Sequence, residues 1–107
     1  MKTAPPTPFQ SKVYETVRHV PQSMVATYSL IAARIGCRSP RAVGQALRKN
    51  PFAPEVPCHR VISSDGSLGG FFGHTGGPEL TRKRRLLEAE GVRFDAWGKV
   101  LPEHILS

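Results

Sequence analysis

Thr27-Tyr28-Ser29-Leu30-Ile31-Ala32-Ala33-Arg34-Ile35-Gly36-Cys37-Arg38-Ser39-Pro40-Arg41-Ala42-Val43-Gly44-Gln45-Ala46-Leu47-Arg48 is the stretch on which the fold turns. Thr27 is a side-chain cap for a helix whose apolar side is Leu30, Ile31, Ala33 and Ile35, and Gly36 is placed to end it. After the turn Gly36-Cys37-Arg38-Ser39, Ser39 caps a further helix with Pro40 as its first residue. Two short helices joined by a tight, glycine-bearing turn form a helix-turn-helix pattern. In that pattern the second helix commonly enters DNA. Val43 and Leu47 make its core-facing i,i+4 pair. Arg41, Gly44, Gln45 and Arg48 occupy the opposite face, with Ala42 beside them. Glycine inside a helix costs about 1 kcal/mol relative to alanine. Gly44 therefore either packs against a neighbouring helix or lets another backbone approach between two arginines.

Upstream, Met1 to Pro6 is proline-rich, and residues 1–7 are expected to form a loose N-terminus. Thr7-Pro8 starts a helix. Phe9, Val13, Val17 and Val20 recur at helical spacing and predict an amphipathic helix over 8–19, with Lys12 and Glu15 facing water and Pro21 as the stop. Downstream, Asn50 is held away from helical geometry by Pro51, and its side chain can bond local backbone. A loop over 51–55 leads to Val56-Pro57-Cys58-His59-Arg60-Val61. A thiol beside an imidazole is a candidate nucleophile with a candidate base. Arg60 to Ser63 reads as a short strand and Ser64-Asp65-Gly66 as a turn. Gly69-Gly70-Phe71-Phe72-Gly73 fits neither helix nor ordinary strand. Its aromatics are either core phenylalanines under a flexible loop or walls around a flat ligand.

Gly76-Gly77-Pro78 opens a last helix over 79–90, with Leu80, Arg84 and Leu87 along one side and Gly91 closing it. Arg82-Lys83-Arg84-Arg85 is either a solvated face with long stems over apolar surface or a phosphate contact. Glu90 sits in the last turn, where the helix dipole disfavours a carboxylate, so a specific partner is expected. Residues 92–107 form a C-terminal tail in which Phe94, Trp97, Val100, Leu101 and Ile105 are expected to fold back on the body.

Composition narrows the classes. The chain has 107 residues, which is one small domain, with 39% hydrophobic and 21% charged residues. That balance predicts a folded core rather than disorder. Fifteen Lys and Arg against eight acids give a formal charge of +7. Such an excess either serves solubility or points to a polyanionic partner. Two cysteines, Cys37 and Cys58, are too few for a disulfide framework, and the four histidines show no ligand spacing. Free thiols in a reducing compartment and no metal are expected. No apolar run approaches the roughly 20 residues needed to cross a bilayer, and the N-terminus has no apolar signal core. An intracellular protein is expected, in the nucleus of a eukaryote or the cytoplasm of a prokaryote, and that favours nucleic acid over membrane as the polyanion.

The combination Tyr28, Arg41-Ala42-Val43-Gly44-Gln45-Ala46, Asn50-Pro51, Pro57-Cys58-His59-Arg60-Val61-Ile62, Gly69, Gly73 and Leu86-Leu87-Glu88-Ala89-Glu90-Gly91 resembles the C-terminal, DNA-binding domain of O6-alkylguanine-DNA alkyltransferases, from about Phe9 to Gly91. The resemblance implies a mainly α, winged-helix-like fold built on the helix-turn-helix, with a short strand or hairpin. It implies a monomer that flips O6-alkylguanine out of double-stranded DNA and moves the alkyl group irreversibly onto Cys58, without metal or organic cofactor. An ordinary thiol, with a pKa of about 8.5, is mostly protonated at neutral pH and needs a base. The family supplies one through a Cys–water–His–Glu relay. Here His59 would be the base, Glu90 its orienter and Asn50 the brace of the turn carrying Cys58. By the same carry-over, Arg41 enters the duplex stack and Tyr28 pushes the target phosphate round. Ala42 and Gly44 let their helix lie close in the minor groove, and Gln45 and Arg48 lie on the DNA face. Phe71, Phe72 and Val61 form the base pocket.

The chain departs from the family in three ways. Phe71-Phe72 replaces a more polar or tyrosine-like pair, the segment 74–80 is a few residues longer, and the usual N-terminal domain is not in this sequence. The size, and the tail with Trp97-Gly98-Lys99, are similar to the alkyltransferase-like proteins. Those bind O6-alkylguanine and mark it for nucleotide excision repair, usually with another residue where the cysteine stands. Transfer to Cys58 is therefore weighed against two others: a non-enzymatic sensor that recruits excision-repair proteins, and a plain helix-turn-helix regulator.

Overall fold

The computed structural model describes residues 5–107. The loose N-terminus expected over 1–7 falls partly on residues 1–4, which lie outside the described residues. Pro5 and Pro6 have no regular secondary structure, and Thr7 is already held as a helix cap. Helix α1 spans Pro8–Arg18. The Gln10 amide N–H donates to Thr7 Oγ1 at 3.1 Å, and the Thr7 N–H donates to Gln10 Oε1 at 3.0 Å. This reciprocal box satisfies two of the donors a helix start leaves free. Val13, Tyr14 and Val17 form the buried stripe.

Helices α2 (Tyr28–Arg34) and α3 (Pro40–Arg48) make the expected helix-turn-helix. Thr27 Oγ1 accepts from Leu30 N at 3.1 Å, and Ser39 Oγ accepts from Ala42 N at 3.1 Å. On α2 the buried residues are Ile31 and Ala32; Ala33, expected on the apolar side, is exposed. In so short a helix the face is set by where α1 and α3 lie, and that turns Ala32 inward. The buried face of α3 is Val43, Ala46 and Leu47, and the Tyr14 hydroxyl donates to the Ala46 carbonyl at 2.7 Å, tying α1 to α3.

Strand β1 (Ala26–Thr27) leads directly into α2 and pairs in parallel with β2 (Val61–Ile62), Ala26 opposite Val61 and Thr27 opposite Ile62. The strand expected over Arg60 to Ser63 is thus trimmed at both ends. Arg60 instead belongs to a 3₁₀ turn, Cys58–Arg60, that carries the Cys-His pair. Helix α4 spans Pro78–Ala89 and ends on Glu90.

The main core joins α1, α2 and α3 to Val56, Cys58, Val61 and Phe71. A second cluster of Val25, Ile62, Leu87, Val92 and Val100 anchors α4 and the tail. The tail does fold back: Val25 N–H donates to the His104 carbonyl at 2.8 Å and Leu106 N–H to the Val25 carbonyl at 2.9 Å. Trp97 does not follow it and is 84% exposed. Asp95 Oδ1 accepts from Trp97 N at 2.8 Å and Lys99 N at 2.9 Å. That closes a tight turn between Phe94 and Val100 and points the indole outward. No helix among the described residues is long and apolar enough to cross a membrane.

Candidate active site

Cys58 opens into a cavity of about 380 Å³. One side is α3, through Pro40, Arg41, Gly44, Gln45, Leu47 and Arg48. The other is the glycine-rich loop 69–75, and Tyr28 and Ser63 complete the wall. The helix-turn-helix thus brings Tyr28, Arg41, Gly44, Gln45 and Arg48 to one opening. A methyl group on Gly44 would meet only Tyr28 Cε1, at 3.9 Å. That atom, from the first residue of α2, is at ordinary contact distance, so α2 leaves room for a methyl group and the position borders the cavity. Gly69 is different: at φ +71°, a Cβ there would stand 2.7 Å from Ser63 Oγ and 3.1 Å from the Tyr28 ring. Only glycine lets the loop pass so close to Tyr28.

Val61, expected in the base pocket, lies elsewhere, and Ala42, expected on the DNA face, stands outside the cavity. Val61 is fully buried in the core and does not line the cavity; the strand period that turns its neighbour Ile62 to the second cluster turns Val61 to the main one. Ala42 is half-buried in a groove with Phe9 and Gln10, between α1 and α3. It sits one residue round the helix from the cavity wall.

Behind the cavity, the 3₁₀ turn aims three consecutive side chains in different directions. Cys58 is 7% exposed. Burial pushes its thiol pKa up, opposed by the Asn50 amide and by the nearby charges of Lys83 and Arg82. Asn50 braces this turn from the other side: its Nδ2 donates to the Val56 carbonyl at 2.9 Å, and its Oδ1 accepts from Phe52 N at 2.9 Å. His59 Nε2 lies 2.9 Å from Glu90 Oε2. Burial lowers the His59 pKa, and the Glu90 hydrogen bond opposes this without reversing it. The imidazole is therefore neutral at pH 7, with Nε2–H donating to the carboxylate and Nδ1 left as the acceptor.

Arg60 is the partner that sequence reasoning missed. Its Nε donates to Glu90 Oε1 at 2.9 Å, its Nη2 to Glu90 Oε2 at 2.8 Å, and its Nη1 to the Val20 carbonyl at 2.8 Å. This bidentate fork explains the acid at the end of α4. Burial raises the Glu90 pKa, but Arg60 and His59 together hold it below the ordinary carboxylate value.

Lys83 was also missed: it is neither on a solvated face nor free for phosphate, whereas Arg82 and Arg85 are exposed. It is fully buried. Its Nζ donates to the carbonyls of Val61, Leu68 and Gly70 at 2.7, 2.6 and 2.8 Å. Burial pulls its pKa down to about 7, while three acceptors at this range call for all three ammonium protons. Lys83 ties β2 to the loop that walls the cavity. The arginines around it diverge: Arg82 lies 5.9 Å from the Phe71 ring and Arg84 lies 4.5 Å from the Phe94 ring. The signal was present, since Leu80, Lys83 and Leu87 share one helical face at spacings of three and four.

A helix-turn-helix thus sets its second helix and a glycine loop on either side of a buried thiol, with a His–Glu pair behind it. The family model described as 6-O-methylguanine DNA methyltransferase, DNA binding domain, matches residues 8–92, and the chain belongs to this family. The methylated-DNA--protein-cysteine methyltransferase of Methanothermobacter thermautotrophicus is 47% identical over 89 residues, 83% of this chain and 47% of that protein. That of Metallosphaera sedula is 51% identical over 83 residues, 78% and 49% of the two chains. Mycobacterium tuberculosis OGT in complex with DNA superposes with a TM-score of 0.72 at 41% identity, covering 80% of this chain and 51% of that one. S. pombe Atl1, in complex with damaged DNA containing O6-carboxymethylguanine, gives 0.77 at 33% identity, covering 92% and 94%. The chain spans about half the length of the methyltransferases it matches and nearly all of Atl1.

Proposed function

We propose that this chain, as one domain and a single copy, binds double-stranded DNA inside the cell, flips O6-alkylguanine into the cavity and transfers the alkyl group irreversibly to Cys58. The observation that carries this reading is the placement of Cys58 between the cavity and the His59–Glu90 pair. The steps join this placement to the roles that the family resemblance implies for Arg41 and Tyr28. Arg41 and Arg48 are exposed beside the opening and offer cations to the DNA backbone. Arg41, at the start of α3, fills the space in the stack that the flipped base vacates, and Tyr28 turns the target phosphate. Extrusion costs a few kcal/mol for a paired base and less for a damaged one.

The thiol is protonated at neutral pH because burial disfavours the thiolate. Neutral His59 takes its proton at Nδ1, through one water, and Glu90 stabilises the imidazolium that forms. Sulfur then attacks the alkyl carbon. The S–C bond forms, the O6–C bond breaks with its electron pair passing to O6, and the proton returns to the guanine. The products are S-alkylcysteine and guanine, so each chain acts once. The activity belongs to DNA repair and needs no cofactor.

The similarity in length to Atl1 favours a second reading, binding without transfer followed by recruitment of excision-repair proteins. One experiment separates them. Incubation with duplex DNA containing O6-methylguanine is expected to add one methyl group to the peptide bearing Cys58, and Cys58→Ala to abolish the adduct while lesion binding persists. Tight binding by the wild-type chain with an unmodified Cys58 peptide would establish the second reading in place of the first.

A further inference from the structure

The loop that walls the cavity closes with a turn of unusual chemistry. Phe71 N–H donates to the His74 carbonyl at 2.8 Å, and His74 N–H donates to the Phe71 carbonyl at 3.0 Å. The two residues between them both have positive φ, +50° at Phe72 and +83° at Gly73. Two-residue turns of that kind favour Asn-Gly, because both central positions are left-handed. A bulky aromatic residue rarely adopts this conformation, and it persists only where its surroundings over-determine it.

Here they do. Lys83 pins the loop through Leu68 and Gly70. Arg48 lies so close to Gly73 that a Cβ there would fall 2.7 Å from its Nε. Phe71 is 5% exposed and belongs to the main core. Phe72 is only half-buried and lines the cavity that holds Cys58, with its ring centroid 4.6 Å from that of Phe71. Phe71 belongs to the core itself, whereas Phe72 packs only against the edge of that core and lines the cavity. From 69 to 73 the loop offers the cavity no hydrogen-bonding side chain. The cavity volume of about 380 Å³ lies within the roughly 300–1,000 Å³ typical of sites for drug-sized ligands.

We propose that Phe72 is a specificity-determining residue, an aromatic wall beside Cys58 that favours transfer of arylmethyl groups from O6 over transfer of methyl. The inference rests on the alkyl-transfer reading above. The bond changes are the same, with the arylmethyl carbon passing from O6 to sulfur and the proton returning to guanine. Offset or edge contact between two rings is what a half-buried phenylalanine adds over a polar side chain.

The test uses the full chain and one duplex carrying either O6-benzylguanine or O6-methylguanine, with single-turnover rates read by intact mass. Phe72→Asn creates the Asn-Gly pair the turn prefers, so its thermal midpoint is expected to hold or rise. Its benzyl-to-methyl rate ratio is expected to fall about three- to tenfold from the wild-type value. Phe72→Leu, apolar without a ring, is expected to lower the ratio as well. An unchanged ratio in both variants overturns the inference while leaving methyl transfer standing. A lower midpoint with both rates reduced equally overturns it in favour of a packing role. Wild-type chain that transfers neither group removes the alkyl-transfer reading and this inference together.

Discussion

The two sides of Cys58 are built on opposite principles. Behind it, His59, Arg60 and Glu90 form a nearly dry cluster in which each carboxylate oxygen has a named donor. In front of it, the loop from Gly69 to Gly73 offers backbone, two phenylalanine rings and space. The rear cluster sets protonation states before any ligand arrives. The front wall leaves its polar work to α3, Tyr28 and the backbone. Reactivity and selectivity are therefore carried by different residues and can be broken separately.

The largest effect short of losing Cys58 is expected at the rear. Glu90→Gln leaves the Arg60 charge buried without its counter-ion, and His59 without the charged acceptor that selects its tautomer. Single-turnover transfer should fall roughly 10²-fold, and stability by about 3 kcal/mol. In the wild-type chain the acid limb of the rate profile should lie below pH 6.5, since burial lowers the His59 pKa from that ordinary value. Stability carries the same sign. Between the folded value and 6.5 the unfolded chain binds more protons, so stability declines as pH drops through that window. Glu90, held below 4.5, adds a further loss at lower pH. A limb above pH 6.5 would show that Glu90 outweighs burial at His59.

Lys83→Met tests the link between the two sides. It leaves the Val61, Leu68 and Gly70 carbonyls without their donor, and thermal unfolding should show a loss of about 2 kcal/mol. Hydrogen exchange should rise in the 68–73 loop while α1 is unaffected. Equal protection throughout would mean that the ammonium is not the tether. The smallest effect is expected at Gly44→Ala, where the nearest foreign atom is 3.9 Å away. The fold should gain about 0.5–1 kcal/mol from helix propensity, while transfer slows modestly because the new methyl narrows the opening beside Tyr28. A loss of stability there would show that the glycine serves packing after all.

Much of this architecture was legible because local signals set it. Thr7, Thr27 and Ser39 each cap a helix, and Pro8 and Pro40 confirm two of the starts. The placement of Glu90, awkward for its own helix, correctly announced a partner. What was hidden depends on contacts distant in sequence. The Arg60–Glu90 fork spans 30 residues, and β1 pairs with β2 across a similar interval. Lys83 was obscured by the three arginines around it: a run of like charges suggests one solvated surface, whereas the helix rotates one member inward onto carbonyls left free by β2 and the loop. The family resemblance implies Val61 in the base pocket, but the 3₁₀ turn before it carries it into the core.

The exposed Trp97 has a spectroscopic consequence. It is the chain's single tryptophan, and it stands in water at the tip of a turn fixed by Asp95. Its emission is already that of a solvated indole in the native state, so denaturation will shift it little and intrinsic fluorescence will under-report unfolding of the core. The same isolation makes it a clean optical probe of one patch. A blue shift or quenching on adding DNA or a second protein would report contact at the Phe94–Val100 turn, without background from the site around Cys58.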